Sequence, residues 1–118
     1  MTTAATPRRI HVDANGLRFA ALEAGEGPLV LCLHGFPDDA TTWSAVMPSL
    51  VQAGYRVVAP WMRGYAPTAA SPSGCYQSAA LGRDVVGLLD ALSPGEPAVV
   101  VGHDWGAVAA YAAATLAP

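Results

Sequence analysis

The sequence predicts an α/β domain with a mostly parallel sheet. Three observations carry that reading. Short apolar runs without polar alternation recur at residues 29–33, 56–59 and 98–101, the pattern of strands covered on both faces. Stretches of helical periodicity lie between and after them. The last run passes through a glycine-flanked turn, Gly102-His103-Asp104-Trp105-Gly106, into an alanine-rich stretch.

The elements follow in order. Residues 10–13 read as a strand, Asn15-Gly16 as a hairpin turn, and residues 17–23 as the returning strand. After Gly27-Pro28 comes the run LVLCL at 29–33. Trp43, Val46, Met47 and Leu50 are spaced as one face of a helix, which places Trp43 in the core. Pro48 inside that pattern predicts a kink or a late helix start. Gly54 closes the helix, and RVVA at 56–59 is a strand ending at Pro60. Residues 66–74, APTAASPSG, read as a loop. Leu81, Val85, Leu88, Leu89 and Leu92 give the next helical stripe; Asp84 and Asp90 fall off its apolar face and are expected in solvent. SPGEP at 93–97 is a turn before AVVV at 98–101. A final helix opens near Trp105 and is apolar all round, hence expected to be buried. A hairpin followed by alternating strands and helices calls for right-handed crossovers.

Composition removes several function classes. The chain has 118 residues, 53% of them hydrophobic and 13% charged, unlike a disordered tail. It has no lysine, and six arginines face nine acidic residues for a net charge of -3. A nucleic-acid binder would normally carry a basic patch. No apolar run nears the roughly 20 residues of a membrane span. MTTAATPRRI lacks the apolar core of a signal peptide, so a cytoplasmic location is expected, with Cys32 and Cys75 reduced. Neither cysteine has metal-ligand spacing, and neither a metal nor a cofactor is expected.

The chemistry centres on Asp104. A strand, G-x-Asp-x-G and then a helix is the setting of a nucleophile elbow. The flanking glycines avoid collisions at a strained turn, and the helix N-terminus favours an anion there. A carboxylate in this position suits displacement at a saturated carbon, giving an ester on Asp104 that water then hydrolyses. The oxyanion of that second step needs hydrogen-bond donors. His34-Gly35-Phe36-Pro37, at the end of LVLCL, is placed to give one through Phe36 N–H, with Trp105 N–H as the other. His34 itself reads as a structural residue that holds the loop by hydrogen bonds. The Trp105 side chain is expected to face the pocket. Arg63 reads as a structural arginine bound to loop carbonyls or an aspartate, with Asp38 and Asp39 as candidate partners.

In this order HGFPDDATTW, MRGYAPT and GHDWGA resemble the α/β-hydrolase superfamily, and within it the aspartate-nucleophile branch of epoxide hydrolases and haloalkane dehalogenases. The resemblance implies an α/β-hydrolase fold, Asp104 as nucleophile, Phe36 and Trp105 as oxyanion donors, and Phe36, Pro37 and Trp105 against a small-molecule substrate, an epoxide or alkyl halide. Phe36 leans the reading toward epoxide hydrolase, because familiar haloalkane dehalogenases place asparagine there. A haloalkane dehalogenase is the alternative; fluoroacetate dehalogenases, with arginine in place of Trp105, match less well.

Members of that superfamily are more than twice as long. The cap of an epoxide hydrolase carries tyrosines that protonate the epoxide oxygen, and the later strands carry an acid and a histidine that activates water. Residues 1–118 are therefore expected to be the N-terminal part of one such domain, truncated before cap and C-terminal strands. None of His11, His34 and His103 occupies the place of the base, and His103 is expected to be buried in the elbow. The chain alone is expected to be inactive. A third reading is a non-catalytic fragment or half of a split assembly. In the implied fold 98–101 is a central strand. Here it is expected at a sheet edge, with the last helix exposing a second face, so that the chain is poorly soluble or needs self-association or a complementing C-terminal half.

Overall fold

The computed structural model describes residues 7–68 and 77–117. Five strands form one sheet, β1 (Arg8–Ala14), β2 (Leu17–Ala24), β3 (Leu29–Leu33), β4 (Arg56–Pro60) and β5 (Val99–Gly102). Their order is β1-β2-β4-β3-β5. The first two pairings, β1 with β2 and β2 with β4, are antiparallel; β4 with β3 and β3 with β5 are parallel. The hairpin is where Asn15-Gly16 predicts it, with both turn residues at positive φ, 49° and 72°, as its tight turn requires.

β3 is buried along its whole length and β4 over its last four residues. One cluster under the sheet gathers Phe19, Leu31, Leu33, Val58, Leu81, Val85 and Leu88 with Ala109 and Ala113. The other face packs Cys32, Met47, Val57 and Ala59, with Trp43 against them. Burial pushes the Cys32 thiol up to about 11, which leaves it an inert core residue. Cys75, and most of the loop expected at 66–74, lie outside the described residues.

The expected first helix is split. A 3₁₀ segment, Ala40–Ala45, precedes α1 (Met47–Gln52), with Pro48 in the first turn of α1. This is the late start that proline predicts. The change from 3₁₀ to α pitch breaks the expected stripe: Met47 is buried, whereas Val46 is 43% exposed.

α2 (Ser78–Leu92) buries Leu81, Val85 and Leu88 as expected, and leaves Asp90 exposed. It also buries Asp84, which corrects the expectation of a solvated residue. The Arg63 Nε and Nη2 atoms each lie 2.8 Å from an Asp84 carboxylate oxygen. Asn15 Nδ2 donates to Asp84 Oδ1 at 2.8 Å. Arg63 is thus the structural arginine that the sequence suggests, but its partner is Asp84, not Asp38 or Asp39. Helical spacing shows which positions share a face; it does not reveal a cation arriving from a loop some twenty residues earlier.

α3 (Trp105–Leu116) lies on α2 through small residues: a Cβ at Gly82 would come 2.8 Å from the Ala112 Cβ. It is not buried all round. Gly106, Ala109 and Ala113 face inward, while Tyr111 is 77% exposed. β5 forms the sheet edge, with Val99 52% exposed. Both strand and helix therefore leave one apolar side uncovered among the described residues.

Removing Asp84 takes the paired carboxylate away from a buried guanidinium. Asp84→Ala is expected to cost about 3–5 kcal/mol of stability. Asp90→Ala on the same helix is expected to stay within about 0.5 kcal/mol. Urea unfolding of the two variants measures the difference.

Candidate active site

The site forms where two neighbouring parallel strands end together. Leu33 is in register with Gly102, and His103 N–H donates to Leu33 O at 3.2 Å. The turn after β3 and the turn into α3 consequently leave the sheet side by side. Their contact tolerates no side chains. A Cβ at Gly35 would come within 2.4 Å of the Asp104 Cβ, one at Gly102 within 2.4 Å of Gly106 O, and one at Gly106 within 2.1 Å of Leu33 O. The glycines of the two motifs are there for close approach.

Asp104 has φ 57° and ψ -119°. Such a conformation costs a residue with a Cβ of order 1–3 kcal/mol and persists only where the surroundings enforce it. It lifts the carboxylate off the sheet to the start of α3, where Trp105 N–H donates to Oδ2 at 2.8 Å. Phe36 N–H reaches the same oxygen at 3.1 Å from the neighbouring turn. Two backbone donors thus converge on Oδ2, and neither is directed at Oδ1. The Phe36 bond and then the Trp105 bond hold the Asp104 carboxyl below the usual aspartate range, so it is ionised at neutral pH.

His34 is buried. Met62 N–H donates to its Nε2 at 3.0 Å, and its Nδ1 lies 3.0 Å from Gly35 O. This is the loop-holding part that the sequence assigns it. His103 is exposed, which corrects the expectation of a buried ring. Its Nδ1 lies 3.8 Å from Asp38 Oδ2. The turn that lifts Asp104 also sends the preceding side chain outward. His11 lies on β1. Among the described residues no hydrogen bond joins a histidine to Asp104.

Beside the carboxylate is a cavity of about 440 Å³ lined by Phe36, Met62, Arg63, Gly64, Tyr65, Leu81 and Trp105. Trp105, 48% exposed, is part of this wall. Pro37 is exposed next to Phe36 but lies outside this wall. Arg63 is occupied by Asp84, so the wall is chiefly apolar. Sequence reasoning assigned no site role to Met62, Tyr65 or Leu81. For the first two a signal existed: they follow β4, and ligands of open parallel sheets gather at the carboxyl ends of strands. Leu81 carried none, because its helical stripe reads only as core. Burial, then the charges of Asp104 and Asp38, raise the pKa of Tyr65. No cluster of three or more His, Cys, Asp or Glu side chains suited to a metal occurs among the described residues. None of their helices is long and apolar enough to cross a membrane.

Residues 28–118 match the family described as alpha/beta hydrolase fold. The chain is 44% identical to an epoxide hydrolase of Caballeronia sordidicola over 108 residues, which is 91% of the chain and 32% of that protein. It is 45% identical to epoxide hydrolase A of Mycobacterium tuberculosis, over 89% of the chain and 33% of that protein. Among solved structures, epoxide hydrolase A from Mycobacterium thermoresistibile superposes with a TM-score of 0.86 at 44% identity, covering 96% of this chain and 36% of that one. A mutant of the epoxide hydrolase from Solanum tuberosum gives 0.83 at 42% identity, covering 90% and 34%. The chain spans about a third of the length of the curated relatives it matches.

If the two amides set the Asp104 charge, Gly35→Ala will push Phe36 away and move the carboxyl pKa back up toward the ordinary aspartate value. Carbon-13 NMR titration of the Asp104 side chain reads that shift.

Proposed function

On the premise that the chain belongs to the alpha/beta hydrolase fold family, we propose that it carries the nucleophile half of an epoxide hydrolase site. The observation that supports this most is the pair of donors on a single oxygen of Asp104. It leaves Oδ1 free to act while Oδ2 is held. In the proposed reaction an Oδ1 electron pair attacks an epoxide ring carbon, and the carbon–oxygen bond breaks toward the ring oxygen. That oxygen takes a proton from an acid outside the described constellation. The product is an ester through Oδ1, with Oδ2 as its carbonyl oxygen.

Water then adds to the ester carbonyl carbon, losing its proton to a base. Negative charge gathers on Oδ2, where the Phe36 and Trp105 amides already point, so no reorganisation is needed as it develops. Collapse releases the diol and restores the carboxylate. Phe36 and Trp105 serve as oxyanion donors and, with Pro37 at the rim, as substrate contacts. The apolar cavity wall favours an uncharged epoxide with an apolar substituent. Phe36 offers no side-chain hydrogen bond to a departing halide, which weighs against the haloalkane dehalogenase reading.

The three histidines are engaged elsewhere or turned outward, so we place the base for water, and the acid for the ring oxygen, outside this constellation. Residues 1–118 would then be one part of a larger α/β-hydrolase domain in a cytoplasmic protein. The uncovered β5 edge would be paired by further strands, a complementing chain or a second copy. In this reading the chain by itself forms the ester only slowly, with solvent water protonating the ring oxygen, and releases diol more slowly still.

Incubation with styrene oxide followed by intact-protein mass spectrometry is expected to show an adduct of the epoxide's mass on Asp104, accumulating faster than diol appears. Asp104→Asn is expected to abolish it. An adduct that survives this substitution rejects Asp104 as the nucleophile.

A further inference from the structure

The His34 ring is 1% exposed. Its two nitrogens face partners of opposite kind: Nδ1 faces Gly35 O and Nε2 faces Met62 N–H, each at 3.0 Å. A carbonyl oxygen only accepts and a backbone amide only donates. The two contacts together require a proton on Nδ1 and a lone pair on Nε2, the neutral Nδ1–H tautomer. Tyr65 packs edge-on against the ring, centroids 4.6 Å apart. One side chain therefore ties the turn that carries Phe36 to the post-β4 loop that carries Met62 and Tyr65.

We propose that His34 is the positioning residue of the Phe36 donor: as the neutral Nδ1–H tautomer it clamps the 34–37 turn to Met62 and so keeps Phe36 N–H on Asp104 Oδ2. The consequence for catalysis rests on the reading of Asp104 as nucleophile; the clamp itself does not. A second proton, on Nε2, would meet the Met62 N–H head-on and remove its acceptor. The turn would be released, and Oδ2 would lose one of its two donors.

The titratable groups that act on the ring are Asp38 and Asp39 on its own loop, and Tyr65 packs against it from the post-β4 loop; from the elbow, Asp104 meets the same turn at Gly35. Burial disfavours the imidazolium and sets the His34 pKa below the ordinary value; the Gly35 carbonyl, then Asp39 and Asp38, act in the opposite direction without reversing it. A histidine whose pKa is lowered by folding stabilises the fold above its unfolded pKa and loses that contribution as pH falls toward the folded value. The clamp is therefore closed at neutral pH and opens in acid.

Nitrogen-15 NMR of the full chain tests the clamp without substrate. Long-range spectra at neutral pH are expected to show a protonated Nδ1 and an unprotonated Nε2. On acidification the Met62 and Phe36 amides are expected to shift with the midpoint of His34. In His34→Gln, whose amide oxygen can accept from Met62 but does not titrate, that step is expected to vanish while the Asp104 pKa stays low. In His34→Phe the Phe36 amide proton is expected upfield at every pH, with the Asp104 pKa raised. A proton on Nε2 at neutral pH, or a Phe36 amide indifferent to the titration of His34, overturns the proposal. Should His34→Phe not fold, the tautomer and the titration of the unsubstituted chain decide alone. Failure of Asp104 to form an adduct would leave all these readings unchanged, so the two ideas fail separately.

Discussion

The site depends on one constraint: β3 and β5 are adjacent, parallel and in register at their carboxyl ends. Two turns that are about seventy residues apart in sequence must leave the sheet through the same small space. Only glycine fits at Gly35, Gly102 and Gly106, because any Cβ there meets backbone or Asp104 itself. Pressed together, the turns bring Phe36 N–H and Trp105 N–H to the same oxygen. The hydrogen bonds to Oδ2 follow from the strand register more than from any property of Phe36 or Trp105 as side chains.

The two most consequential carboxylates are stabilised in opposite ways. Asp84 is buried and bonded to a guanidinium and to the Asn15 amide. It fastens the post-β4 loop to α2 and the first hairpin. Asp104 is exposed and has no cation bonded to it among the described residues. It relies on neutral backbone donors, which stabilise a charge without cancelling it. A carboxylate sealed by arginine would be a poor attacking group. One held by two amides on one oxygen keeps the other oxygen available.

The sheet and its helices are unequally covered. β3 and β4 sit between two apolar clusters, while β5 and the outer side of α3 expose valines and Tyr111. Natural edges of this kind are usually covered or charged, and α3 carries no charge at all. Asp104 therefore stands between a strand and a helix that each leave an apolar side uncovered among the described residues. Its geometry is enforced from one side, by β3 and the turns around Gly35.

By itself the sequence determined the order of elements, the hairpin at Asn15-Gly16, the late helix start at Pro48, the elbow at Asp104 and the loop-holding use of His34. Each of these depends on local signals: periodicity, proline and glycine sterics, or a motif in its strand-turn-helix setting. The tertiary structure alone decided that Asp84 is buried against Arg63, that Val46 and His103 face outward, and that Met62, Tyr65 and Leu81 line the cavity. Those outcomes depend on what arrives from elsewhere in the chain, on helix pitch, and on which way a strained turn throws its neighbours. Residue spacing carries none of that information, because a side chain's surroundings exist only once distant segments have packed.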